Sequence, residues 1–362
     1  MIAVAVLGAG AGGLSSAVEL TRAGHEVRLW NRNSEALVPY ADRREVPYSG
    51  VLGQSSVNLA MVTTDLHAAV KQADVVVVSL PALAHGALLS DLALLTCEVP
   101  IVLNPGHTGG ALHARAVFAS HGVVLPPVCE LSTLMYVARS CRDGGVGITC
   151  RALHVRCGAL PGGEEATAAA ATLFPGASSA PDVLASSLSN INLVLHPPGA
   201  ILAAAWVEAH DQAFTFYGEG LTPGVARVIE VLDAERRAVA ARFGHDLPSL
   251  IEEMGLVGTA SIDAVAKGDV AEAIRGGEAN RIIMAPDSLN HRYYEEDLAF
   301  ALTPFVTLAD ISGVAVPMAR ALLTVGSGLL GRDLVATGLG AVQLGIERLD
   351  FDGLVELVRG PR

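Results

Sequence analysis

The chain has 362 residues, more than one compact core usually serves, so two domains are the default. Half of it (51%) is apolar and only 17% is charged, which supports a large buried core and excludes disorder. The formal net charge of -13 comes without a basic run, so nucleic acid and anionic membranes are poor partners.

From the N-terminus, IAVAVL (residues 2–7) reads as a strand. GAGAGG follows and sets Gly8, Gly10 and Gly13 at the G-x-G-x-x-G positions. The stretch has the look of a signal peptide but lacks a basic n-region. A helix-compatible segment, LSSAVELTRAG, stops at Gly24, and HEVRLW reads as a second strand. Strand, glycine turn, helix and strand within about thirty residues make a dinucleotide-binding βαβ unit. Gly8 makes the tight turn, Gly10 lets the backbone approach a pyrophosphate, and Gly13 lets the helix pack on the strand. The helix start then offers free N–H groups and a positive dipole end to phosphate.

The end of the second strand reports on the cofactor. NAD enzymes usually place Asp or Glu there for the ribose 2′-hydroxyl. Here Asn31 is followed by Arg32. A carboxylate would repel a 2′-phosphate, whereas an Asn–Arg pair can bind it, so NADP(H) is expected in preference to NAD(H).

The α/β rhythm continues with LAMVT, then DLHAAVKQA, then the apolar run VVVVSLP, then PIVLNPG. Ligands of such sheets sit at the carboxyl ends of strands, which places Ser79, Leu80, Pro81, Asn104, Pro105 and Gly106 along the cofactor. The uncharged stretch 75–90 is too short to span a bilayer. Residues 128–182 read as further strands completing this domain. Glu130, Ser132 and Thr133, in a turn after a strand, are expected on the nicotinamide side, with Ser132 near the substrate. The five cysteines form no C-x-x-C pair and read as reduced, mostly buried thiols of a cytoplasmic protein; no metal site is expected.

From about Asp182 the β signals fade. The expected organisation is a Rossmann-type α/β domain over 1–182 and an all-α domain over 183–362. In NINLVLHPPG (190–199), Asn192 and His196 are four apart and share a helix face. Pro197 disfavours helical dihedrals at His196, so the helix is expected to end or kink there and direct His196 into a cleft. TPGVARVIEVLDAERRAVAARFG starts a helix with Thr222 as N-cap and Pro223 at N1, and stops it at Gly244. TPFVTLADISG repeats the device with Thr303, Pro304 and Gly313. Apolar stretches such as ALLTVGSGLLG suit packing within the domain or a homodimer.

These strings resemble the opine dehydrogenases, the octopine/nopaline and N-(1-carboxyethyl)norvaline dehydrogenase group. The resemblance spans nearly the whole chain. It rests on the glycine motif, VVSLPALAHG, VLNPGHTGGAL and ELSTLMY. The more specific strings lie in the second half: SLSNINLVLHPPG, FTFYGEGLTPGVARVIEVLDAER and NHRYYEEDLAFALTPFVTLAD. The resemblance implies condensation of an amino acid with a 2-oxo acid such as pyruvate, and NAD(P)H reduction of the imine to a secondary-amine dicarboxylate. It implies a helical second domain with the site between domains. His196 matches the family's catalytic histidine and Asp297 its carboxylate partner. Arg292 matches the arginine that binds a substrate carboxylate, and Asn192 the asparagine before the histidine.

The chemistry fits those residue types. Imine formation expels water from a carbinolamine, so a proton must reach the departing oxygen. The imine is also easier to reduce once protonated. Histidine titrates near neutrality and serves both steps, and a carboxylate on its far nitrogen fixes its tautomer. Arginine holds a carboxylate by two parallel hydrogen bonds. Tyr217 and Thr222 are further candidates for the amino-acid pocket. His107, His210 and His291 are rival histidines.

Two other readings remain open on sequence. Ketopantoate reductases and β-hydroxyacid dehydrogenases share the two-domain plan but depend on a lysine, and the only lysines are Lys71 and Lys267. A non-catalytic NADP sensor would not need His196 and Asp297 brought together.

Overall fold

The apolar runs of the first half are buried on both faces, as central parallel strands require. The computed structural model describes residues 1–141, 144–210, 214–277, 281 and 283–361. Within the described residues the strands are β1 (Ala3–Leu7), β2 (Glu26–Trp30), β3 (Glu45–Gly50), β4 (Ser55–Asn58), β5 (Met61–Thr63), β6 (Val75–Val78), β7 (Ile101–Leu103), β8 (Val128–Leu131), β9 (Tyr136–Ser140), β10 (Val146–Arg151), β11 (Val155–Ala159) and β12 (Ala177–Ser179). Eight of them form one sheet in the order β12-β11-β8-β7-β6-β1-β2-β5. Pairings from β5 through β8 are parallel; β11 runs antiparallel to β8. The order reverses beside β1, so the loops after β1 and β6 flank the switch point where such sheets bind ligands.

The sequence reading took 128–182 as further strands completing the first domain, and β8 to β12 lie there. Two of them, β9 and β10, join β3 and β4 in a separate four-stranded sheet, in the order β4-β3-β10-β9. The pairing links segments about a hundred residues apart, which no local pattern encodes.

The glycine turn matches its expected physics. Gly8 has φ +122°, and a Cβ there would lie 2.4 Å from the Ser79 carbonyl oxygen. A Cβ on Gly13 would lie 1.8 Å from the Gly8 carbonyl oxygen, so helix Ala11–Arg22 could not approach β1 with any larger residue. At Gly10 a Cβ would meet nothing within 4 Å, which leaves the helix start open.

Beyond β12 the described residues hold helices, apart from one isolated bridge between Thr215 and Met284. Helix Asn192–His210 corrects one expectation: it does not end at His196 but runs through Pro197 and Pro198. The prolines withdraw two amide donors. Burial outweighs that loss, for Leu193, Val194, Leu195 and Ala200 are all at most 2% exposed. His196 therefore sits in the first turns of an intact helix.

Helix Pro223–Arg242 is capped as expected, with Thr222 Oγ accepting from the Val225 N–H. The second Thr-Pro device behaves differently. Helix Arg292–Asp297 passes straight into a π-helical turn, Leu298–Leu302, and then into helix Thr303–Ser312. Thr303 is no cap; its buried hydroxyl donates to the carbonyls of Leu298 and Leu334. Gly313 ends the run at φ +73°, as read. No helix of the described residues is long and apolar enough to cross a membrane.

Candidate active site

His196 is 5% exposed, and both its ring nitrogens are engaged. Nδ1 lies 2.7 Å from Oδ2 of Asp297, 101 residues away, and Nε2 lies 2.7 Å from Oη of Tyr217. Asp297 is fully buried, and its other oxygen, Oδ1, has no hydrogen-bond partner among the described residues. The Tyr293 ring tilts against the imidazole at 4.1 Å between centroids, and its hydroxyl is 3.3 Å from that of Tyr217. Burial, followed by the neighbouring Tyr293, pushes the Tyr217 phenol well above its ordinary pKa, so it stays protonated.

Two π-helical turns present these groups. Asp297 directly precedes one, Leu298–Leu302, and Tyr217 lies in the other, Phe216–Gly220. Such turns re-aim side chains within a helix and are frequent at functional sites.

Asp297 is also tied to the cofactor side through its neighbour. Glu296, fully buried, accepts from the Ala82 N–H at 2.7 Å, at the start of helix Ala82–Leu94, and lies 2.9 Å from His107 Nε2. Its other oxygen is 3.0 Å from Arg292 Nε. Burial alone would raise the Glu296 carboxyl; the charges of His107 and Arg292 overrule it and hold the group well below the usual carboxylate range. Glu296 thereby joins the loop after β6 to the helix that carries Asp297. The Arg292 side chain is 46% exposed; its Nε pairs with Glu296, and its two terminal nitrogens make no hydrogen bond among the described residues. Those terminal donors stand free for a carboxylate.

The dinucleotide side also holds an unspent polar group. The Ser79 hydroxyl, beside the glycine turn, is buried with no partner among the described residues. Asn31 does not reach outward; its amide braces the turn, accepting from the Ala9 N–H at 3.2 Å and donating to the Asn33 carbonyl at 3.0 Å. Arg32 is exposed and without a partner among the described residues. Leu80 packs under Gly8, and Pro81 precedes helix Ala82–Leu94.

The relatives agree with this layout. The model of the alpha-helical domain of NAD/NADP octopine/nopaline dehydrogenases matches residues 179–330, and that of the N-terminus of NAD-dependent glycerol-3-phosphate dehydrogenase matches residues 3–105. The opine dehydrogenase of Arthrobacter sp. is 31% identical over 353 residues, covering 97% of each chain. The chain belongs to the opine dehydrogenase family. It is thus an NAD(P)-dependent oxidoreductase, with the Rossmann-type and all-α halves expected of one. In fold it is similar to octopine dehydrogenase solved with NADH and L-arginine (TM-score 0.78, 21% identity, 100% and 99% of the two chains covered). It is similar too to NADP+-bound yersinopine dehydrogenase (TM-score 0.72, 16% identity, 96% and 97% covered).

Within this opine dehydrogenase the structure brings together His196, Asp297, Tyr217 and Arg292, four residues singled out on sequence. Asn192 opens the helix of His196 and is half-buried, its side-chain amide making no hydrogen bond among the described residues. Other candidates are engaged in the interior, Glu130 among them. It is fully buried, and its oxygens accept from the Ala111 N–H and from the hydroxyls of Ser186 and Ser187. Burial pushes its carboxyl up to about 7. Asn104 likewise serves the interior: it donates to Ser16 Oγ at 3.3 Å and accepts from the Met135 N–H at 3.2 Å. Gly106 is needed because a Cβ would lie 2.2 Å from that of Glu130. Ser132 and Thr133 are buried, and the Ser132 N–H donates to the Arg156 carbonyl. Thr222 is exposed and serves as a helix cap.

Of the rival histidines, His107 pairs with Glu296, and His291 caps helix Arg292–Asp297 by accepting from the Tyr293 N–H. The side chain of His210 lies outside the described residues. Lys267 pairs with Glu272 on the surface, and Lys71 follows a short helix at the amino end of the sheet strands. Neither reaches His196, which removes the lysine-dependent reading. Tyr293 and Glu296 were missed on sequence. Both stand inside NHRYYEED, but adjacent tyrosines and carboxylates in a row offer no local sign of which turns inward.

Proposed function

We propose that this enzyme condenses the amine of an amino acid with a 2-oxo acid and reduces the product to a secondary-amine dicarboxylate, with residues 1–182 binding the cofactor and 183–362 the substrates. The observation that carries this is the Asp297–His196 hydrogen bond, 2.7 Å long and joining residues 101 apart. A buried carboxylate on Nδ1 leaves Nε2 as the nitrogen that exchanges protons with the reacting centre. Arg292, with its terminal nitrogens unused and just over one helix turn before Asp297, would hold a substrate carboxylate. Reduced nicotinamide dinucleotide, held at the glycine turn and the loops after β1 and β6, would supply the hydride.

The residues account for the order of events. Arg292 anchors the oxo acid, whose carbonyl the amine attacks. Protonated His196 then provides the proton with which the carbinolamine loses water, and Asp297 stabilises the imidazolium throughout. Reaction with the oxo acid alone would leave this acid without its main task. The assay is direct: purified protein, NADPH or NADH, a 2-oxo acid, and each amino acid in turn, followed by cofactor oxidation. Oxidation that depends on the amine supports the reading; oxidation by the oxo acid alone, unaffected by any amine, marks a plain ketoreductase.

NADP(H) is the proposed preference. Asn31 is committed to the turn, so Arg32 is the exposed, unpaired cation left for a 2′-phosphate. Arg32→Ala should raise KM for NADPH by about tenfold, the worth of one charge-assisted contact, and leave KM for NADH nearly unchanged. Equal effects on the two cofactors would remove Arg32 from phosphate binding.

A further inference from the structure

An imidazole has two nitrogens, and in His196 both are taken. Nδ1 bonds Asp297 and Nε2 bonds Tyr217, each at 2.7 Å. The acid assigned above therefore cannot touch a substrate atom without giving up a partner. Tyr217 is no loose plug to be pushed aside. It is 5% exposed and belongs to the π-helical turn Phe216–Gly220. The Phe216 N–H donates to the Ile283 carbonyl, and Glu219 accepts from the N–H and hydroxyl of Thr215, which precedes the turn. The Phe216 ring packs edge-on to that of Tyr217 at 5.0 Å.

We propose that Tyr217 is a further catalytic residue: its hydroxyl hands the proton of His196 to the reacting centre. The proposal rests on the reductive-condensation reading and names the atom that touches the substrate. With His196 neutral, Nδ1–H points to Asp297 and the phenol donates to Nε2. Once His196 is protonated, Nε2–H donates to Oη, and the phenol proton is free to leave. Among the described residues, the other hydrogen-bond partner of Oη is the hydroxyl of Tyr293, a long 3.3 Å away.

The step balances. The phenol proton moves to the hydroxyl oxygen of the carbinolamine, and the C–O bond breaks with its electron pair going to the departing water. The amine lone pair forms the C=N bond of the iminium. The Nε2 proton refills the phenol in the same event, His196 ends neutral, and Asp297 stays a carboxylate. Concerted refilling is required, because a buried tyrosinate would be costly.

Tyr217→Phe in the full-length enzyme, assayed with NADPH, pyruvate and the best amino acid, tests this. The ring and its packing stay, and only Oη is lost. We expect kcat to fall by about 10²-fold or more, with KM for cofactor and pyruvate little changed. The wild-type rate should bow downward as D2O replaces H2O, the mark of two protons in flight, and the residual rate of Y217F should vary linearly. Y217F turnover at the wild-type rate or faster would make Tyr217 an occluding side chain and overturn the relay while leaving the condensation reading intact. Wild-type enzyme inactive with every amine–oxo acid pair would instead overturn that reading and the relay with it. Should Y217F fail to fold, the wild-type solvent dependence decides alone: a bowed curve supports the relay and a straight line overturns it.

Discussion

Replacing His196 by alanine should lower kcat by about 10²- to 10⁴-fold, the usual worth of a positioned acid–base group, while affinity for reduced cofactor stays near wild type. The separation follows from the layout. The glycine turn, Ser79 and Arg32 lie on the loops after β1, β2 and β6, and His196 lies on a helix of the other half. Fluorescence titration of the cofactor beside steady-state turnover measures both quantities on one preparation. Retained turnover would remove His196 from the mechanism. Lost cofactor binding would mean that the histidine props the nucleotide site. Alanine also leaves Asp297 buried with neither oxygen paired, so some loss of thermal stability should accompany the variant.

Asp297→Asn should cost nearly as much, about 10²-fold or more in kcat, with the fold intact. In Ser-His-Asp hydrolases the equivalent change costs about 10⁴-fold by presenting the wrong tautomer. The physics here is the same: an amide cannot stabilise an imidazolium as a carboxylate does, and its NH2 can face Nδ1 and turn the ring. Because Asp297 acts through His196, the losses should not add. The double variant should be about as slow as H196A alone, since a partner without its histidine has nothing to orient. Fully additive losses in such a cycle would show the two residues working independently, contrary to their 2.7 Å contact.

Much of this was legible in the chain itself, for reasons that differ by residue. Gly8 and Gly13 could be read because each answers a local backbone demand, whereas Gly10, where a Cβ would meet nothing within 4 Å, was read from the motif alone. His196, Asp297 and Arg292 came from the resemblance, and the fold then placed them together. Locally, NINLVLHPPG was ambiguous. Pro197 argued for a helix end or kink; the helix does not end there, and the buried surroundings of Leu193, Val194 and Ala200 explain why it continues. The interior partners of Glu130 and Asn104 were hidden for a related reason. A polar residue at a strand end looks ligand-facing until its partners are known, and those partners (Ser186 and Ser187 for one, Ser16 and Met135 for the other) lie 31 to 88 residues away. The π-helical turns went unread, since one turn of five residues is too short for its hydrogen-bond pattern to leave a distinct periodicity.

The most direct measurement of the central claim uses reduced cofactor carrying deuterium at the nicotinamide C4 position that is transferred. The enzyme is given pyruvate and its best amino acid, and the products are analysed by mass spectrometry. The account predicts one deuterium, on the carbon bearing the new secondary amine, in a product whose mass is that of amine plus oxo acid less water plus the transferred hydrogens. Deuterium found instead in a 2-hydroxy acid, with the amine unchanged, would contradict it.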